Sequence, residues 1–75
     1  MDDKEELYEI FFNTLTEYKK HDIKVHIKKK NTRFYNGEIL EVTKDHLILD
    51  DIMLGAMPIY FLEIDVLEKM EKKDE

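Results

Sequence analysis

The 75-residue chain has no cysteine, no serine, two glycines and one proline, and no apolar run approaches a membrane span. Each shortage excludes something. Without cysteine there is no disulfide and no cysteine-based zinc site. Without serine or cysteine beside a base there is no activated nucleophile, and glycines confined to positions 37 and 55 cannot form a glycine-rich phosphate loop. A non-enzymatic protein without a cofactor is therefore expected. A membrane helix needs ~20 apolar residues, and an acidic N-terminus is the opposite of a signal peptide. The expected location is cytoplasmic, with no membrane partner.

A chain of this length is expected to form one domain, residues 1–75. Domains this small bury only about 60% of their unfolded surface, so self-association is the natural supplement to a thin core. Forty per cent of the residues are charged, with lysine and glutamate dominant. Thermophile proteins and the solvated surfaces of small domains share that composition.

The net charge of −6 is segregated. Residues 1–18 carry six acids against Lys4, residues 19–33 carry six lysines and Arg33 against Asp22, and residues 34–75 are acidic again. An acidic whole disfavours indiscriminate nucleic-acid binding, but a basic segment permits a focused anion site.

Residues 2–20 read as an amphipathic helix. Leu7, Phe11, Thr14 or Leu15, and Tyr18 recur at helical spacing, widened by Ile10 and Phe12. Acids in the first turns and Lys19-Lys20 at the end suit the helix dipole. His21-Asp22 makes a corner. Ile23, Val25 and Ile27 then alternate with Lys24, His26 and Lys28, the pattern of a half-buried strand with a cationic outer face. Lys30 to Arg33 is a turn. Phe34 to Asp51 is a long strand interrupted by Gly37, a polar break at Thr43-Lys44-Asp45-His46, and a second strand. Gly55 marks another reversal, and Pro58 suits a strand start or an edge before Ile59 to Phe61. Leu62-Glu63 breaks the chain before a last strand from Ile64 to Met70, and residues 71–75 form a charged tail. No helical segment after residue 20 is long enough for a crossover, so the sheet should be antiparallel. The expected architecture is mainly β with one N-terminal α-helix, residues 23–70 forming a small, strongly bent, five-stranded barrel.

Among chemistry-bearing groups, His21, Asp22 and His26 lack any ligand spacing and read as surface residues, so no metal is expected. Asp50 and Asp51 are neighbours on a strand, face opposite ways, and read as a solubilising strand end. The cations Lys24, Lys28, Lys29, Lys30 and Arg33, beside Phe34 and Tyr35, form the best nucleic-acid candidate, because cations track phosphates while an aromatic stacks a base. Against it stands pairing of these lysines with the acidic helix or with another subunit, and alternation turns one of the two aromatics inward.

In element order and in the spacing from Phe34-Tyr35-Asn36-Gly37 through Ile39 and Val42 to Leu47-Ile48-Leu49-Asp50, the chain resembles the Sm-like superfamily, the Lsm and Hfq proteins. Pro58–Phe61 and Ile64–Leu67 are similar to the family's second motif. The resemblance implies a homo-oligomeric ring of six or seven copies that binds single-stranded RNA. RNA contacts are then expected at Lys28, Lys30, Arg33 and Tyr35, and in the pore-side turn at Asp45 and His46. Alternatively, that turn is plain and Asp45 caps its own backbone. Subunit contacts are expected at Ile59, Tyr60, Phe61, Ile64 and Val66, where one strand pairs with the next copy; a monomer hiding this strand under its helix is the alternative. The chain departs from the family in its base pocket. Its turn lacks the family's asparagine, and no Arg-Gly pair follows Pro58. A ring that has lost RNA binding and assembles with protein partners therefore stands beside the RNA-binding expectation, as does a monomeric barrel tethered to a larger complex.

Overall fold

The computed structural model describes residues 3–70. A helix, α1 (Asp3–Lys20), precedes five strands: β1 (Val25–Lys29), β2 (Phe34–Val42), β3 (His46–Asp51), β4 (Gly55–Tyr60) and β5 (Ile64–Lys69). A single 3-10 turn, Phe61–Glu63, joins the last two. All pairings are antiparallel, in the order β4-β3-β2-β1-β5. The sheet thus has two margins, β4 and β5, which are consecutive in sequence and lie at opposite ends of the strand order. No helix among the described residues is long and apolar enough to cross a membrane. The tail at 71–75 and position 2 lie outside the described residues.

Period-two alternation builds the core. Val25 and Ile27 of β1, Tyr35 and Ile39 of β2, Leu47 and Leu49 of β3, Ile59 of β4 and Ile64 of β5 all point inward, and Leu15 of α1 closes over them. Phe61 is the largest fully buried side chain. Tyr8 meets it edge-on at 5.8 Å and Phe11 at 5.5 Å, so α1 covers the 3-10 turn. A fully buried side chain of this class contributes about 1.5–3 kcal/mol. The inward stripe of α1 is therefore Tyr8, Phe11, Leu15 and Tyr18. This corrects the expectation for Leu7, which is exposed with Ile10 and Phe12, because the Phe61 ring draws Tyr8 inward.

Two irregularities bend the sheet. Ile39 pairs with Leu49 and Glu41 with Ile48, leaving Leu40 as the extra residue on β2; this turns both Leu40 and Glu41 outward. Asp65 is likewise extra on β5, between the Lys28–Val66 and Lys29–Ile64 pairs. Such bulges increase local twist and curvature. Gly37 lies on β2 beside β3, and a Cβ there would overlap the backbone carbonyl of Asp50. β4 begins at Gly55, so Pro58 sits inside the strand and not at its start. Its missing N–H is tolerated because β4 is a margin.

Two of the corners use left-handed backbone without glycine. At the end of α1, Asp22 has φ of 57°. Ile23 N–H donates to Tyr18 O at 2.9 Å and Asp22 N–H to Lys19 O at 3.1 Å, the paired bonds of a Schellman helix stop. Between β1 and β2, Thr32 has φ of 71°, and the Asn31 side-chain oxygen accepts the Arg33 N–H at 3.0 Å.

Candidate nucleic-acid interface

The register of the first hairpin sets His26 opposite Asn36 and Lys28 opposite Phe34. All four side chains occur at alternate positions, so they share the outer face of the sheet. The His26 and Phe34 rings lie nearly parallel, 23° apart, with centroids 5.2 Å apart. His26 Nδ1 is hydrogen-bonded to the side-chain oxygen of Asn36, which fixes the imidazole beside the phenyl ring. Lys28 Nζ stands 6.0 Å from the Phe34 centroid. Phe34 is 57% exposed, a large aromatic ring left in water on a sheet surface.

The cations around this platform divide into two groups. Lys28 Nζ lies 3.7 Å from Asp65 Oδ2, and Lys29 Nζ lies 3.2 Å from Glu63 Oε1 and 5.5 Å from the Tyr35 centroid. Their carboxylate partners come from the 3-10 turn and the start of β5, not from α1. Lys24, Lys30 and Arg33 are exposed, and among the described residues no carboxylate pairs with their side chains. Exposed pairs contribute little, ~0–1 kcal/mol, so Lys28 remains exchangeable toward a phosphate.

Tyr35 was expected to touch RNA, and the structure corrects this. It pairs with Ile27 on the inner face and is only 6% exposed. The outward aromatic is Phe34. Phe34 belongs to the expected candidate, but His26 and Asn36 were missed as members of the site, although the period of two that carries Lys24 and Lys28 outward also carries His26, and across the hairpin Asn36 beside Phe34.

The turn between β2 and β3 is closed on itself. His46 Nδ1–H donates to Asp45 Oδ1 at 2.7 Å, and the Thr43 hydroxyl donates to the His46 carbonyl at 3.0 Å. The same hydroxyl oxygen accepts the His46 backbone N–H at 3.2 Å. The His46 hydrogen bond holds the Asp45 carboxyl below the usual range, with burial opposing it and the nearby Thr43 and Lys44 assisting. The His46 ring packs at 5.0 Å from Tyr60. The hydrogen-bonding groups of Asp45 and His46 therefore already have partners within the turn.

Asp51 differs from the solubilising strand end that its neighbour Asp50 forms. It is buried, and its Oδ1 accepts Asn36 N–H at 2.9 Å while Oδ2 accepts the N–H groups of Met53 and Leu54, both at 2.9 Å. Burial raises its pKa, but the three backbone bonds outweigh that and leave it below the ordinary carboxylate range. The carboxylate fixes Asn36, and through it His26, from behind the platform.

At the sheet margins, Ile59, Phe61 and Ile64 point into the core of their own chain, while Tyr60 and Val66 face outward. Contacts of the first three with another copy would run through backbone groups. No protein-family model matches the chain, and no curated protein matches it either.

Proposed function

We propose that the chain is a non-enzymatic, Sm-like subunit that closes with copies of itself into a ring of six or seven and binds single-stranded RNA. The observation that carries the RNA half is the exposed Phe34 ring, aligned with His26 and flanked by Lys28 and Arg33. A base stacked on an aromatic ring is worth about 1–3 kcal/mol and demands no particular sequence, while the cations follow the phosphates. The β1–β2 face is favoured over the Asp45-His46 turn because the hydrogen-bonding groups of the turn are already engaged. The ring half is supported by β4 and β5, two margins joined by a three-residue turn. Pairing of β4 in one copy with β5 in the next would join the sheets into one continuous ring and leave no free edge.

Fluorescence anisotropy with labelled oligo-U and oligo-A tests the RNA half. Binding should weaken steeply with salt, and Phe34→Ala should weaken it by about tenfold at every salt concentration. A Lys30→Ala/Arg33→Ala variant should flatten the salt dependence. A second reading, a protein-assembly ring without RNA, is favoured by the exposed apolar run Ile52-Met53-Leu54. Absence of RNA binding at low salt by an intact assembly would select it.

A further inference from the structure

The chain has three asparagines, and only Asn36 precedes a glycine; Thr14 follows Asn13 and Thr32 follows Asn31. The backbone nitrogen of the next residue can attack an asparagine side chain at Cγ, and a following side chain obstructs that approach. Gly37 offers no obstruction. The fold nevertheless requires glycine there, since a Cβ would overlap the Asp50 carbonyl. The pairing of β2 with β3 thus keeps a chemically reactive dipeptide in the middle of the sheet.

The closed sheet opposes the reaction. The Asn36 N–H donates to Asp51 Oδ1 at 2.9 Å, its carbonyl accepts the Ile52 N–H at 2.9 Å, and its side-chain oxygen is hydrogen-bonded to His26 Nδ1. Gly37 is paired on both sides, with Val25 of β1 and with Asp51 of β3. Extended backbone turns the Gly37 nitrogen away from Cγ of Asn36. Closing a five-membered ring needs rotation about the Asn36 Cα–C bond, out of the range of a strand. That rotation breaks the bond to Ile52 and the pairing at Gly37. The reacting conformation is therefore reached only when the sheet opens locally around β2.

We propose that Asn36 is a site of spontaneous deamidation, gated by the opening of β2 from its neighbours. The Gly37 nitrogen bonds to Cγ of Asn36 and gives up its proton, the bond from Cγ to Nδ2 breaks, and ammonia leaves. Water then opens the cyclic imide at either of its carbonyls, giving aspartate or isoaspartate, and no other reactant is consumed. Isoaspartate lengthens the main chain of β2 by a carbon atom, so Tyr35 and Ile39 can no longer both keep their inward register. Aspartate keeps the register but sets a carboxylate beside His26 on the outer face. Either product is a permanent mark of an opened sheet, and the inference stands whether or not RNA binds or copies assemble.

For the test, the full-length protein is incubated at mildly alkaline pH in heavy-oxygen water, once folded and once in concentrated urea. Trypsin digestion in ordinary water follows, so heavy oxygen marks only conversions made during the incubation. Cleavage after Arg33 and Lys44 releases residues 34–44 with Asn36, and cleavage after Lys4 and Lys19 releases residues 5–19 with Asn13 as reference. Mass spectrometry of the two peptides gives the rates. In urea, Asn36 should convert many times faster than Asn13. In the folded chain Asn36 should convert at least about a hundredfold more slowly than in urea, as a site reached only through opening does. Urea below the unfolding midpoint should raise the rate in step with the open fraction. Asp51→Ala, which releases the Asn36 N–H, should raise it at least about tenfold without urea. A folded-state rate within about threefold of the urea rate overturns the gating, as does a rate unmoved by both Asp51→Ala and urea below the midpoint. Asn36 converting no faster than Asn13 in urea overturns the site itself.

Discussion

Asp51, the last residue of β3, holds Asn36 of β2 by accepting its backbone N–H at 2.9 Å, fifteen residues away in sequence. The same carboxylate ties down Met53 and Leu54. One buried charge thereby sets both the back of the His26–Phe34 platform and the shape of the apolar loop.

Removing that carboxylate should be costly. Hydrogen bonds to charged groups contribute ~1.5–3 kcal/mol each, although bonds sharing one acceptor group do not add in full. Asp51→Ala is expected to destabilise the fold by about 3 kcal/mol, read as a shift in the urea midpoint. Asp51→Asn should lose less, since one oxygen can still accept.

Acid should expose the same group. The pKa of Asp51 is lowered in the folded chain, so its contribution is complete above the ordinary aspartate range and disappears as pH falls through the lowered folded value. Urea midpoints measured from pH 7 downward should fall more steeply for the wild type than for Asp51→Asn below about pH 4. Parallel curves would remove Asp51 from the acid response.

Gly37 is required for close approach and not for unusual backbone. A Cβ at this position overlaps the Asp50 carbonyl, and a backbone atom cannot swing away as a side chain can. Gly37→Ala should force β2 from β3 and cost more than about 3 kcal/mol, measured by thermal or urea unfolding.

Asp22 and Thr32 point the other way. Both occupy left-handed backbone that glycine adopts without strain, and Thr32 is β-branched, which worsens the fit. Asp22→Gly and Thr32→Gly should each stabilise the protein by about 0.5–1 kcal/mol despite glycine's greater freedom when unfolded. A lower melting temperature in either variant would mean that the native side chain contributes more there than its strain costs.

Much of this architecture was legible in the residues. The alternation Val25-His26-Ile27-Lys28 and the run from Phe34 to Val42 identified their strands, and Gly37 marked an interruption that the nearby carbonyl of Asp50 explains. Pro58 signalled a margin, though the strand around it begins at Gly55. Register was not legible. Whether Phe34 or Tyr35 faces water depends on how β2 pairs with β1, and a shift of one residue reverses both. The same limit hid the meeting of His26 with Asn36. Asp51 reads in the sequence as a solubilising strand end because its partners are backbone N–H groups, which leave no mark there. Tyr8 displaced Leu7 from the inner stripe because Phe61, distant in the chain, lies beneath it.

The most direct measurement is a nitrogen-proton spectrum of labelled protein during titration with single-stranded RNA. Resonances of His26, Lys28, Arg33, Phe34 and Asn36 should move together and saturate together, while those of Thr43 to His46 stay nearly still, and Phe34→Ala should reduce the movements at equal RNA concentration. No movement at low salt, or movement concentrated at Asp45 and His46 with the β1–β2 face unchanged, would contradict the placement of RNA on that face.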